Sequence, residues 1–216
     1  MIVKLGLQTS GYRIPVIILP CQGRDTGSIP VTRSKNIVDR IFYMTEVNVR
    51  DANVNDAEGI ATVHVKMWQQ AYRGQIPDSF LDSMSVEDRT EGWKKELEHP
   101  YENTFAYVAD IDNVVAGWVT GGVNRDSDLH ETSIAELYGI YVLPGYTNLG
   151  IGSKLMEKLF QNLKDSGYKQ ATLWVLDTNE KTRKWYESKG WRIEGKTKSE
   201  KRDGFDLNEV RYIRDL

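Results

Sequence analysis

From residue 60 onward, apolar positions recur at helical spacing. Ile60, Val63, His64, Met67, Trp68 and Ala71 share one face, with capping candidates in Asp51 to Asn55 and a natural stop at Gly74. A second helical region spans Pro77 to Glu98 and breaks near Ser83 to Ser85, where Ser85 and Asp88 have the spacing of a capping box. The period then falls to two. Phe105 to Ala109, a turn at Asp112 and Asn113, and Val114 to Gly121 read as a hairpin, and Ile134 to Leu143 as a longer strand halted by Pro144. Helix Ser153 to Asp165, strand Ala171 to Leu176, helix Glu180 to Lys189 and two closing strands near Trp191 to Lys196 and Leu207 to Ile213 complete the pattern. With a strand-like Glu46 to Arg50 in front, this predicts one mixed α/β domain over residues 44–216.

Residues 1–43 read differently. Gly6, Gly11, Pro15, Pro20, Gly23, Gly27 and Pro30 fall at irregular intervals and no period persists, so little stable structure is expected there. The stretch Gln22 to Ser34 resembles a translated piece of a transfer-RNA gene, which points to Met44 as the start. Ile14 to Leu19 is too short, and interrupted by Pro15, for a secretory signal, and no run of about 18 apolar residues is present to span a bilayer. With Cys21 as the single cysteine, a cytoplasmic setting away from membranes is expected.

Charge sharpens this. The net charge of −3 is uneven: residues 1–43 hold six Lys or Arg and two acids, leaving 22 basic and 29 acidic residues, or −7, for the domain. An acidic domain is poorly suited to neutralising phosphates, so nucleic acid is not an expected partner, whereas a cationic substrate is.

The segment Gly145-Tyr-Thr-Asn-Leu-Gly150-Ile-Gly152-Ser153-Lys154 leads from a strand into a helix N-terminus, where open N–H groups and the helix dipole favour an anion. It is not a Walker A loop, because Ile151 and Gly152 follow Gly150 where Lys and Ser or Thr are required. Nor is it a dinucleotide fingerprint, because Leu155 stands where the third glycine belongs.

The stretch does resemble the pyrophosphate loop of the GNAT acetyltransferase superfamily: Gln or Arg, two residues, Gly, any residue, Gly or Ala. Gly150 and Gly152 fill the last two places, and Thr147 departs from the pattern at the first. Downstream, Leu173-Trp-Val-Leu-Asp-Thr-Asn179, then Trp185-Tyr186 and Gly190-Trp191, look like the family's strand, asparagine, aromatic-Tyr and Gly-aromatic succession. Upstream, Glu136 lies eleven residues before Thr147, and Trp68, Tyr72, Gly74 and Pro77 resemble a common bacterial branch.

The resemblance implies a twisted sheet of six or seven strands flanked by helices, with acetyl-CoA as cosubstrate in a splay between two central strands and no metal. It places Ile140, Val142, Thr147, Asn148, Leu149, Gly150, Gly152, Ser153, Asn179 and Tyr186 against the cofactor. It makes Tyr186 the donor to the leaving sulfur, the main chain near Ile140 the group that polarises the thioester, and Glu136 the base, with Gly139 easing a bulge beside it. Trp68 and Tyr72 are core residues or acceptor walls, and Asn179 also suits a helix cap. The loop Asn124 to Glu131, with Asp126, Asp128, His130 and Glu131, reads as a solvated turn rather than a metal site. The expected acceptor is a primary amine of a small molecule. A protein N-terminus or lysine, a non-catalytic acyl-CoA sensor and a homodimeric assembly stay open.

Overall fold

The computed structural model describes residues 46–129, 131–147, 149–202 and 204–216; the expectations for the N-terminal extension, Met44, Cys21, His130 and Asn148 lie outside the described residues. In chain order the elements are β1 (Asn48–Asp51), a 3-10 turn (Val54–Asp56), α1 (Ala57–Ala71), α2 (Asp78–Asp82), α3 (Val86–Glu98), β2 (Thr104–Ile111), β3 (Val114–Val123) and β4 (Ile134–Val142). A second 3-10 turn (Pro144–Tyr146) leads to α4 (Ile151–Asp165), β5 (Gln170–Leu176), α5 (Glu180–Ser188), β6 (Arg192–Arg202) and β7 (Phe205–Asp215). The strands form a single mixed sheet in the order β1-β2-β3-β4-β5-β7-β6. Among the described strands only β4 and β5 run parallel, as a connection through α4 permits.

Local chemistry explains the boundaries. Asn53 caps the first turn through a reciprocal capping box with Asp56. Ser85 Oγ accepts the Asp88 backbone N–H at 3.1 Å. Asp112 and Asn113 both have positive φ, 50° and 65°, as a tight hairpin turn requires. Two expectations need correction. The fourth helix starts at Ile151, two residues before Ser153, because Gly150 takes the N-cap place. The closing strands are one long hairpin reaching Arg202 and starting again at Phe205, held by ladder bonds that its charged sequence does not advertise.

The sheet is covered on both faces. Ile151, Leu155, Leu159 and Leu163 of α4 pack on Ala135, Leu137, Ile140 and Val142 of β4. On the opposite face Ile60, Val63, Met67 and Trp68 of α1 meet Val108, Trp118 and Tyr141, with Leu176 and Leu207 from the far strands. Among the described residues no helix is long and apolar enough to cross a membrane.

Candidate active site

The centre of the sheet holds two irregularities side by side. Opposite β3, the register jumps from Thr120↔Gly139 to Gly121↔Leu137, leaving Tyr138 as the extra residue of a bulge. The bulge re-aims the strand, so that Leu137 and Ile140, three apart, both face α4. Opposite β5, β4 pairs only through Ile134, Ala135 and Glu136. From Leu137 to Val142 its β5-facing edge has no ladder partner in β5, and the two strands splay. Main-chain groups of the Ile140 to Val142 stretch are thereby available at the edge of a cleft.

The N-terminus of α4 lies just beyond the end of β4. Gly150 sits there at φ 75°, a left-handed conformation suited to glycine, and no side chain caps the helix. Where Asn179 and Ser85 block their helix ends, this one leaves its first-turn N–H groups open, with no acidic residue in that turn. Leu149 and Gly150 are exposed and Gly152 and Ser153 half-buried beside it. Thr147 Oγ1 donates to the Pro144 carbonyl at 3.0 Å and so braces the loop.

On the β5 side, the Asn179 side-chain oxygen accepts the Thr182 N–H at 3.2 Å, so the residue does cap α5, while its buried Nδ2 has no partner. Tyr186 is buried and its hydroxyl is likewise unpartnered. Burial, then the neighbouring Tyr141, pushes this phenol well above its ordinary range, so it stays protonated and keeps its O–H to donate.

The opposite face of the sheet carries Glu136 and a cluster of buried aromatic residues. Trp68 and Tyr72 are fully buried in an edge-to-face pair at 4.9 Å, and Trp68 Nε1 donates to Tyr141 Oη at 3.2 Å. Glu136 is only 1% exposed. Its Oε2 accepts from the Arg125 backbone N–H and Nε, both at 3.0 Å, and its Oε1 from the Arg125 terminal nitrogen at 2.6 Å. The same guanidinium lies 3.9 Å over the ring of the bulged Tyr138. Glu136 and Tyr186 thus flank the splay from opposite sheet faces, and Glu136 spends three of its roughly four acceptor positions on one arginine.

The loop after β3 is not the solvated turn expected from sequence. Asn124 Nδ2 donates to Thr172 Oγ1 at 2.6 Å, and buried Asp126 accepts from Trp174 Nε1 at 2.9 Å. Arg211, 2% exposed, donates to Asp126, Asp128 and Glu194 at 2.9–3.2 Å. Buried cations persist only with such partners, and these three carboxylates tie the loop to the β6–β7 hairpin. Sequence reasoning missed Arg125, Arg211 and Glu209. Glu209, on β7, is 3% exposed, and its Oε2 accepts from Lys198 Nζ at 2.9 Å while Oε1 has no partner.

A mixed seven-stranded sheet that splays at a bulge, with an uncapped helix N-terminus at the mouth and a buried tyrosine hydroxyl inside, defines an acyl-transfer fold. The comparisons agree. The model of the Acetyltransferase (GNAT) family matches residues 65–191, and the chain belongs to this family. An uncharacterized N-acetyltransferase of Bacillus subtilis is 30% identical over 133 residues, 62% of this chain and 73% of that protein. One from Archaeoglobus fulgidus is 29% identical over 146 residues, covering 68% and 93%. The crystal structure of the PaiA N-acetyltransferase of Thermoplasma acidophilum in complex with coenzyme A superposes with a TM-score of 0.63 at 20% identity, over 79% of this chain and 99% of that one. This chain is therefore an N-acetyltransferase.

Proposed function

We propose that the protein moves the acetyl group of acetyl-CoA directly to the primary amine of a small molecule. The observation that carries the reading is the three-residue contact of β4 with β5, which opens into a cleft between an uncapped helix N-terminus and an unpartnered tyrosine hydroxyl. Each feature fits one part of acetyl-CoA. First-turn N–H groups after Gly150 suit the pyrophosphate, with Thr147, Leu149, Gly152 and Ser153 alongside. The strand edge at Ile140 and Val142 suits the pantetheine amides, as does Asn179 Nδ2. Acetyl-CoA brings an activated thioester; the protein supplies position and hydrogen bonds.

In this reading the Ile140 main chain polarises the thioester carbonyl as its oxygen gains charge. Tyr186 donates a hydrogen bond to the departing sulfur. Even with unshifted reference values, full proton transfer from a phenol to a thiolate is uphill by about 2 kcal/mol. The raised Tyr186 makes it more so, and the hydrogen bond itself is the contribution. On the acceptor side an alkyl amine is neutral in roughly one molecule in two thousand at pH 7, so a positioned base that takes its proton speeds the reaction. Glu136 lies on the acceptor side, where Arg125 engages both of its carboxylate oxygens.

A small acceptor is favoured because this side is roofed. Thr178 Oγ1 donates to Gln75 Oε1 at 2.8 Å, and Phe80 meets Phe205 edge-on at 5.0 Å, joining the α1–α2 segment to the far strands. The test is release of free coenzyme A, read with a thiol reagent, when the full chain meets acetyl-CoA with butylamine, 1,4-diaminobutane, amino acids or an N-terminal peptide. Release with the small amines is expected. Release with the peptide alone would replace the acceptor class, and absence of acetyl-CoA binding in calorimetry would overturn the reading whole.

A further inference from the structure

We infer that Glu209 is the carboxylate that receives the acceptor amine, its free Oε1 taking a proton from the substrate ammonium before attack. The inference rests on the small-amine reading above and deepens it.

Position comes first. Leu207, Glu209 and Arg211 alternate along β7 onto the face that carries α1, and Leu207 belongs to the buried cluster that holds Trp68, Tyr72 and Tyr141. Across the ladder Glu209 stands opposite Leu176, a member of the same cluster. A buried carboxylate oxygen with no hydrogen-bond donor is unfavourable by kilocalories and calls for an explanation. An amine N–H supplies the missing donor. Tyr72, on the same face, also has a hydroxyl without a partner. The contrast with Glu136 is one of open lone pairs: Arg125 engages both oxygens of Glu136, whereas Lys198 reaches only Oε2 of Glu209.

The surroundings are consistent with proton uptake. Burial first, opposed by Lys198, raises Glu209 above the usual carboxylate range, with Glu200 adding to and Arg202 subtracting from the effect. Glu209 in turn acts on Tyr72 and Tyr141, and Tyr141 on Tyr186, so the acceptor carboxylate and the sulfur donor share one electrostatic neighbourhood. The step balances. The ammonium gives one proton to Glu209, which later passes it to solvent. The amine lone pair forms the C–N bond, the C–S bond breaks with the leaving thiolate held by the Tyr186 hydrogen bond, and the second nitrogen proton passes to solvent, from which the thiolate is protonated.

The experiment compares kcat/KM at pH 7 for butylamine, an ammonium ion there, and 2,2,2-trifluoroethylamine, already neutral, in wild type, Glu209→Gln and Glu136→Gln. Glu209→Gln is expected to lose about a hundredfold or more with butylamine and less than about threefold with the neutral amine, as loss of a general base should. A merely structural role would lower both equally, and that outcome overturns the inference, as does selective loss in Glu136→Gln instead. Should Glu209→Gln fail to fold with Lys198 left opposite it, Glu209→Gln/Lys198→Gln removes both charges and carries the same comparison. Wild type that binds acetyl-CoA yet acetylates neither amine would overturn the small-amine reading itself, and the inference with it.

Discussion

Removing a buried hydroxyl that has no partner should leave a fold intact or improve it, because nothing bonded is lost and an unpaired dipole is relieved. Tyr186 is such a residue, packed against Trp185 and Trp191 with its oxygen unmatched. Tyr186→Phe is therefore expected to keep or slightly raise Tm while slowing turnover roughly ten- to hundred-fold, the worth of a hydrogen bond to a charged sulfur. Acetyl-CoA affinity should change little. A variant that lost stability and activity together would make Tyr186 a packing residue only. Tyr186 was legible because an aromatic-Tyr pair followed by Gly190-Trp191 is a strong pattern. Glu209 and Arg211 were not. Along β7 the apolar Val210 and Tyr212 alternate with them, which in sequence reads as one buried and one solvated face. At Glu209 and Arg211 the face that would read as solvated is instead buried under the α1 side and the loop after β3, and only the long-range topology reveals that.

Among elements, the β4–α4 junction joins fold and site most directly. Nothing lies within 4 Å of a side chain built at Gly150, so the penalty for Gly150→Ala is backbone strain alone, about 1–2 kcal/mol for a left-handed L-residue. For a domain of this size that lowers Tm by roughly 2–8 °C. Relaxing the strain turns the first N–H groups away from the cleft, so acetyl-CoA binding measured by calorimetry should weaken about tenfold. Gly150→Asn, which tolerates positive φ, should lie between the two. A lowered Tm with unchanged affinity would remove this helix end from the cofactor site. The junction was visible in sequence through its glycines, but the β6–β7 hairpin was legible only at its start. Arg192 to Arg202 is almost wholly polar and exposed, with no alternation to detect, and its strand character comes from pairing with β7. The loop after β3 misled for a related reason: its acids looked solvated because their counter-charge, Arg211, stands 83–85 residues away.

For the whole molecule, acid is the informative stress. His64 is fully buried among Trp68, Trp118 and Tyr141, with neither ring nitrogen partnered. Burial, then Arg89 and Arg202, holds it well below the ordinary histidine range, so the native state keeps it neutral. The unfolded chain binds its proton from about pH 6.5 downward, and linkage then removes up to about 1.4 kcal/mol of stability per pH unit until the folded histidine also titrates. Asp56 extends the trend. Burial alone would raise it, but donation from Arg50 and from the Asn53 N–H keeps it lowered. Its contribution is complete above its unfolded value near 3.9 and disappears as pH falls through the folded one. Glu96 and Glu209 act oppositely, since burial raises both and they favour the native state more as acid protonates them. The wild-type curve alone therefore mixes signs over pH 4 to 7, and the difference against His64→Leu separates them. The wild type should lose Tm relative to His64→Leu by roughly 3–6 °C for each unit below pH 6.5, with the gap constant above pH 7. Parallel curves across that range would mean that His64 binds a proton in the native state and that the aromatic cage around it admits water.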